Sequence, residues 1–126
     1  MQHRYGFSCR SWLAALASVA TITLSAAAHA AFAIALNPST GKTGAYNGTF
    51  DLGQAKRIAL ENCGSGCRIV ASGKGTCAAV VESITTGGSI WAIGYGTTTS
   101  TAANDGWHAC RQKGGVNCNT AVAICD

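Results

Sequence analysis

The cysteines constrain this chain more than any other feature. Seven of them stand at positions 9, 63, 67, 77, 110, 118 and 125. The first is set apart, inside a segment with the three-part pattern of an export leader. Arg4 and Arg10 give a positive start, residues 12–24 form an uncharged apolar run, and "SAAAHA" places Ala28 and Ala30 at the −3 and −1 positions of a cleavage site. That run falls well short of the ~20 residues needed to span a bilayer. The organisation expected is a leader over residues 1–30, removed, and one domain over residues 31–126. Cys9 precedes the apolar run, so it is not placed as a lipid-bearing cysteine and leaves with the leader. The six that remain are Cys63, Cys67, Cys77, Cys110, Cys118 and Cys125.

An even count in a short exported chain reads as a disulfide framework, because oxidising compartments keep such bonds formed. Zinc sites favour C-x2-C pairs, often with histidine. Here the gaps are C-x3-C and C-x7-C, and His108 is the one histidine beyond residue 30. A redox pair of the thioredoxin kind needs C-x-x-C and a reactive thiolate, and neither is evident. Structural disulfides are therefore expected, with no metal and no cofactor. Six cysteines allow fifteen pairings. The organisation along the chain favours Cys63–Cys67, Cys110–Cys118 and Cys77–Cys125 among them.

Two of the nine basic residues lie in the leader, which leaves seven against five acids and a net charge of +2. Charges so few and so scattered do not make the clustered Lys/Arg surface that neutralises phosphates, so no nucleic-acid partner is expected. Nor does any stretch after residue 30 suggest a membrane span. The localisation expected is periplasmic or extracellular.

The domain runs twice through one plan. "AFAIAL" is an apolar strand-type run, "NPSTGKTG" is dense in turn formers, and "AYNGTF" leads into a helix, "DLGQAKRIALENC". Asp51 is placed to cap that helix and Gly64 to end it in a left-handed turn. "CRIVAS" is the next strand. In the second half "CAAVVESI" turns at "TTGGS" into "IWAIGYG", whose alternation puts Trp91, Ile93 and Tyr95 on one face. "TSTAANDGWHACRQKGG" is a helix with Ser100 as its cap, weakened by Asn104, Asp105 and Gly106. "NTAVAIC" closes the chain as a strand. Residues 44–63 lie over residues 91–110 without a gap. The fold class expected is α+β: a small single domain of two strand-strand-helix-strand half-repeats sharing one sheet and core, with both helices on a face.

The opening strand with "NPSTG", the helix ending "ALENC", then "GCRIVAS", "CAAVV", "WAIGYG" and "ACRQKGG", followed by two further cysteines, together resemble the DUF4189 family, over about residues 32–125. The resemblance implies an exported bacterial domain with disulfide bonds. It implies no catalytic residue. The "NDG" of the second helix departs from the alanine-rich, charged segment usual in that family.

Other chemistry has to come from the residues themselves. "GKT" at residues 41–43 ends a phosphate-loop pattern, but Leu36 stands where its first glycine is required, so a turn is expected. His108 is the candidate general base, and it needs a carboxylate or nucleophile within hydrogen-bond reach. The carboxylates on offer are Asp51, Glu61, Glu82, Asp105 and Asp126. Trp107, beside His108, is expected in the core, as are Trp91 and Tyr95. These readings favour a non-catalytic binding module with a protein partner over the alternative, a small secreted hydrolase using His108 and an acid.

Non-reducing peptide mapping with thiol alkylation is expected to find three bridges and no alkylated cysteine after residue 30. Opening Cys77–Cys125, which closes 49 residues, is expected to cost about 4 kcal/mol in denaturant unfolding. Opening Cys63–Cys67 should cost about 2 kcal/mol, since closure entropy grows with the loop.

Overall fold

The structure, a computed structural model, describes residues 29–126; the basic start, apolar run and Cys9 of the expected leader lie outside the described residues. Within them the order is β1 (Ala31–Leu36), β2 (Thr43–Thr49), α1 (Leu52–Cys63), β3 (Arg68–Lys74), β4 (Cys77–Thr85), β5 (Gly88–Gly96), α2 (Thr99–Gln112) and β6 (Asn119–Cys125). The α+β class and the two half-repeats are as expected. The single sheet is not. The strands divide into two antiparallel sheets, ordered β2-β1-β3 and β5-β4-β6, so each half completes its own sheet around its own first strand.

The reason lies in β1. Every residue of "AFAIAL" is buried, as a strand covered on both faces requires. Successive side chains point to opposite faces. Phe32, Ile34 and Leu36 enter a cluster with Ala78 and Val80 of β4, bordered by Trp91, Ile93, Val122 and Ile124. Ala31, Ala33 and Ala35 turn the other way, against Ala55, Ala59 and Cys63 of α1. β4 repeats the arrangement: Cys77, Ala79 and Val81 face away from the shared cluster, toward Ala102 and Cys110 of α2. The large side chains thus join the two sheets face to face, and the small ones receive a helix on each outer face. The helices sit on opposite sides of the domain, not on one, because each strand pair has a face of small residues to cover. Complete burial of Phe32, Ile34, Leu36 or Val80 contributes about 1.5–3 kcal/mol apiece.

Small residues let the helices come very close. Gly44 lies under α1 so tightly that a Cβ there would overlap the Ala59 carbonyl and the Cys63 amide, and would stand 2.8 Å from Cys63 Cα. Gly94 does the same beneath α2, against Ala102, Gly106 and, at 2.7 Å, Gly106 Cα. Relative to the cysteine that ends each stripe the two approaches are a turn apart, Gly44 meeting Ala59 and Cys63, Gly94 meeting Ala102 and Gly106.

The helix ends follow from local chemistry. Asp51 accepts the N–H of Gln54 at 3.0 Å, the expected cap. α2 is capped by Thr98, not Ser100: Thr98 Oγ1 accepts from Thr101 N–H at 3.1 Å, and the Thr101 hydroxyl accepts from Thr98 N–H at 3.0 Å. That reciprocal pair satisfies two orphan donors at the start of α2, and the helix runs unbroken through "NDG". Gly64 donates to the Leu60 carbonyl at 3.0 Å with φ 98° and ψ −165°, outside the left-handed region expected of it. The chain has to turn straight into the bond between Cys63 and Cys67. Cys110 is bonded to Cys118, and Cys77 to Cys125, its direct neighbour across β4 and β6.

Replacing Gly44 or Gly94 by alanine is expected to cost about 3 kcal/mol, because the atoms in the way are backbone and cannot swing aside. Urea unfolding of the two variants measures it.

Candidate functional surface

α2 presents Ala102, Gly106 and Cys110 to its sheet. These residues are four apart, so they form one stripe along the helix. Gly106 is the closest point: a Cβ there would come within 2.7 Å of Val81 Cγ2. Residue 107 is about 100° further round the helix. No space for an indole exists between helix and sheet, and Trp107 is accordingly 41% exposed on the flank of α2. The expectation that Trp107 sits in the core is corrected on this ground. One turn on, the Arg111 guanidinium lies over the Trp107 ring, 4.8 Å from its centroid. Such a stack contributes about 0.5–1 kcal/mol where it is exposed. The sequence reading missed Arg111; its spacing of four from Trp107 on a helix was the available signal.

The other flank of α2 is engaged differently. Asp105 Oδ2 accepts the backbone N–H of Tyr95 at 2.9 Å, on the free edge of β5. A carboxylate there occupies a donor that an unpaired edge would otherwise offer to another strand. Tyr95 is 45% exposed, which corrects its placement in the core. Trp91 and Ile93, on the same face of β5, do border the shared core, as expected. The Lys113 ammonium donates to the Trp91 carbonyl at 2.7 Å, tying the end of α2 to β5.

His108 is exposed on α2. Among the described residues the ion pairs are His29–Asp126 and Arg57–Glu61, and neither includes it. The candidate carboxylates are held apart by separate tasks. Asp51 caps α1, Glu61 pairs with Arg57 at 3.2 Å ten residues further along, and Asp105 holds Tyr95. Ten residues of helix span ~15 Å, beyond the ~5–9.5 Å between the carboxyls of a glycosidase pair. Asp126 accepts from Gly75 N–H beside His29. Glu82 lies opposite Trp91 in the β4–β5 register. The residues that the fold does bring together are Trp107 and Arg111, with His108 beside them in sequence.

No helix of the described residues is long and apolar enough to cross a membrane. No group of three or more His, Cys, Asp or Glu side chains among them is placed to hold a metal ion.

Trp107→Ala is expected to change stability by less than about 1 kcal/mol, as an exposed residue should. Trp91→Ala, emptying part of the shared core, is expected to cost about 3 kcal/mol. Urea titration gives both values. In residues 31–126 produced alone, acrylamide should quench the Trp107 fluorescence of Trp91→Phe more than the Trp91 fluorescence of Trp107→Phe.

Comparison with known families matches residues 31–125 to the family described as domain of unknown function (DUF4189). No curated protein and no solved structure gives a match.

Proposed function

The chain belongs to the DUF4189 family, and from that premise we propose that it is an exported, disulfide-stabilised, non-catalytic binding module of the bacterial envelope or secretome, with a protein as its partner. The observation that carries this reading is the outward Trp107 under its Arg111 stack. Tryptophan and arginine are the side chains most enriched where protein interfaces concentrate their binding energy. The indole brings a large contact area and few rotors, and the guanidinium across it limits those further. Three bonded cysteine pairs hold the scaffold beneath. A surface fixed in this way loses little conformational entropy on binding.

Photo-cross-linking from residue 107 in the exporting cell, with residue 57 on α1 as control, tests the reading. The expected result is a discrete protein adduct from residue 107 and none from residue 57. The purified adduct partner should then bind Trp107→Ala at least ~10-fold more weakly, with the thermal midpoint unchanged. Turnover of ester, amide or glycoside substrates by the pure domain, abolished in His108→Ala, would replace this reading with the hydrolase.

A further inference from the structure

The fold closes on its own N-terminal junction. Ala31 opens β1, is fully buried, and is paired with Thr49 on one side and Lys74 on the other. Phe32, the next residue, is fully buried in the shared core. Two residues before Ala31, His29 Nδ1 stands 3.3 Å from Asp126 Oδ2. That same oxygen accepts the Gly75 N–H. Asp126 is brought there by the preceding Cys125, bonded to Cys77, and by its own N–H, 3.4 Å from the Thr76 carbonyl. Ala30 is thus flanked by held residues in both directions: His29 against Asp126 on one side, and the central strand of a sheet on the other.

The scissile bond that the leader reading implies joins Ala30 to Ala31. The family match begins at Ala31 too. Resting on that reading, we infer that folding closes this bond to the peptidase that removes the leader, so that cleavage precedes the docking of β1, and a chain that folds first keeps its leader. Cleavage is a hydrolysis: the Ala30–Ala31 C–N bond breaks, water gives its hydroxyl to the Ala30 carbonyl carbon, and a proton goes to the Ala31 nitrogen. A peptidase takes its substrate as an extended strand whose backbone groups pair with the enzyme. Those of β1 are already committed to β2 and β3. To present Ala31 and Phe32, the strand has to leave both neighbours and draw a phenyl ring out of the core. Only the small open fraction of molecules would be cut.

The latch also sets an order of events. Its carboxylate belongs to residue 126, just beyond β6, and reaches Gly75 and His29 once β6 has joined β4. The latch therefore forms only with the second sheet, after the pairing of β1 with β2 and β3 that the first sheet supplies. This suits export of an unfolded chain that is processed before its disulfides form.

The test uses the full-length precursor in detergent micelles with purified leader peptidase. Precursor that is reduced and denatured, then diluted into the assay, should be cut to a product beginning at Ala31. The oxidised, folded precursor should be cut ~100-fold more slowly or not at all. A variant carrying a flexible spacer of about eight Gly and Ser residues between Ala30 and Ala31, also oxidised, should be cut at the unfolded rate. Cutting of the folded wild type within about threefold of the unfolded rate overturns the inference. So does a folded spacer variant as resistant as the wild type, which would place the protection elsewhere than at the junction. Failure of the unfolded chain to be cut after Ala30 overturns the leader reading and the inference with it.

Discussion

The closeness of each helix to its sheet is the constraint on which the rest of this domain depends. Gly44 and Gly94 put strand backbone against helix backbone, and Ala31, Ala33, Ala35, Ala55 and Ala59 line the contact around the first of them. Such interfaces pack well but remove little apolar area from water per residue, and burial contributes in proportion to area. The larger side chains are spent between the sheets. It is consistent with this that the cysteines fall where they do. Cys63 and Cys110 each end the buried stripe of their helix, and each is bonded to the segment that leads into the following strand. The bonds take up, at the helix ends, a role that bulky side chains have no room to fill.

Much of this was legible in the sequence, and the failures share one cause. "AFAIAL" reads as a doubly covered strand because no polar residue interrupts it, and Asp51 reads as a cap because a carboxylate precedes an amphipathic run. The cut between two sheets was not legible. Strand propensity records that a segment is extended and half-buried, not which neighbour it pairs with. Trp107 was misplaced through the usual rule that large aromatics go inside. Here the stripe Ala102–Gly106–Cys110 overrides that rule. A glycine in a helix interior is destabilising by about 1 kcal/mol unless something needs the space, and here Val81 needs it, its Cγ2 standing 2.7 Å from where a Cβ at residue 106 would lie. Read as a contact surface, "NDGWHAC" would have turned Trp107 outward from sequence alone. The cap of α2 was misjudged by two residues among five consecutive Thr and Ser, where each hydroxyl is an equal candidate until the pairing of Thr98 with Thr101 is seen.

The catalytic candidates fail to converge for a related reason. In a domain this small, most side chains that project outward at the ends of elements are needed there. Asp51, Asp105 and Asp126 each accept a backbone N–H that the fold leaves over at a helix start, a sheet edge or the turn between β3 and β4. A hydrogen bond of this kind contributes about 0.5–1.5 kcal/mol net. These carboxylates are therefore explained by satisfying the backbone, without appeal to a reaction.

The asymmetry between the halves accounts for the surface that remains. Aligned on their cysteines, Leu60 of α1 corresponds to Trp107 of α2, and Gly64 to Arg111. Leu60 is half-buried against its sheet. Gly64 ends α1 one residue after its cysteine, whereas α2 continues to Gln112. The closest strand contact also differs. Gly44 meets α1 at Ala59 and Cys63, in its last turn; Gly94 meets α2 at Ala102 and Gly106, one turn before its cysteine. α2 therefore runs on past its crossing point, and that added length carries Arg111 into position over the indole. A half-repeat that merely copied the first would have a leucine and a glycine at these two places, and no stacked pair to present. The feature best suited to recognition is thus the one that the repeated architecture does not require.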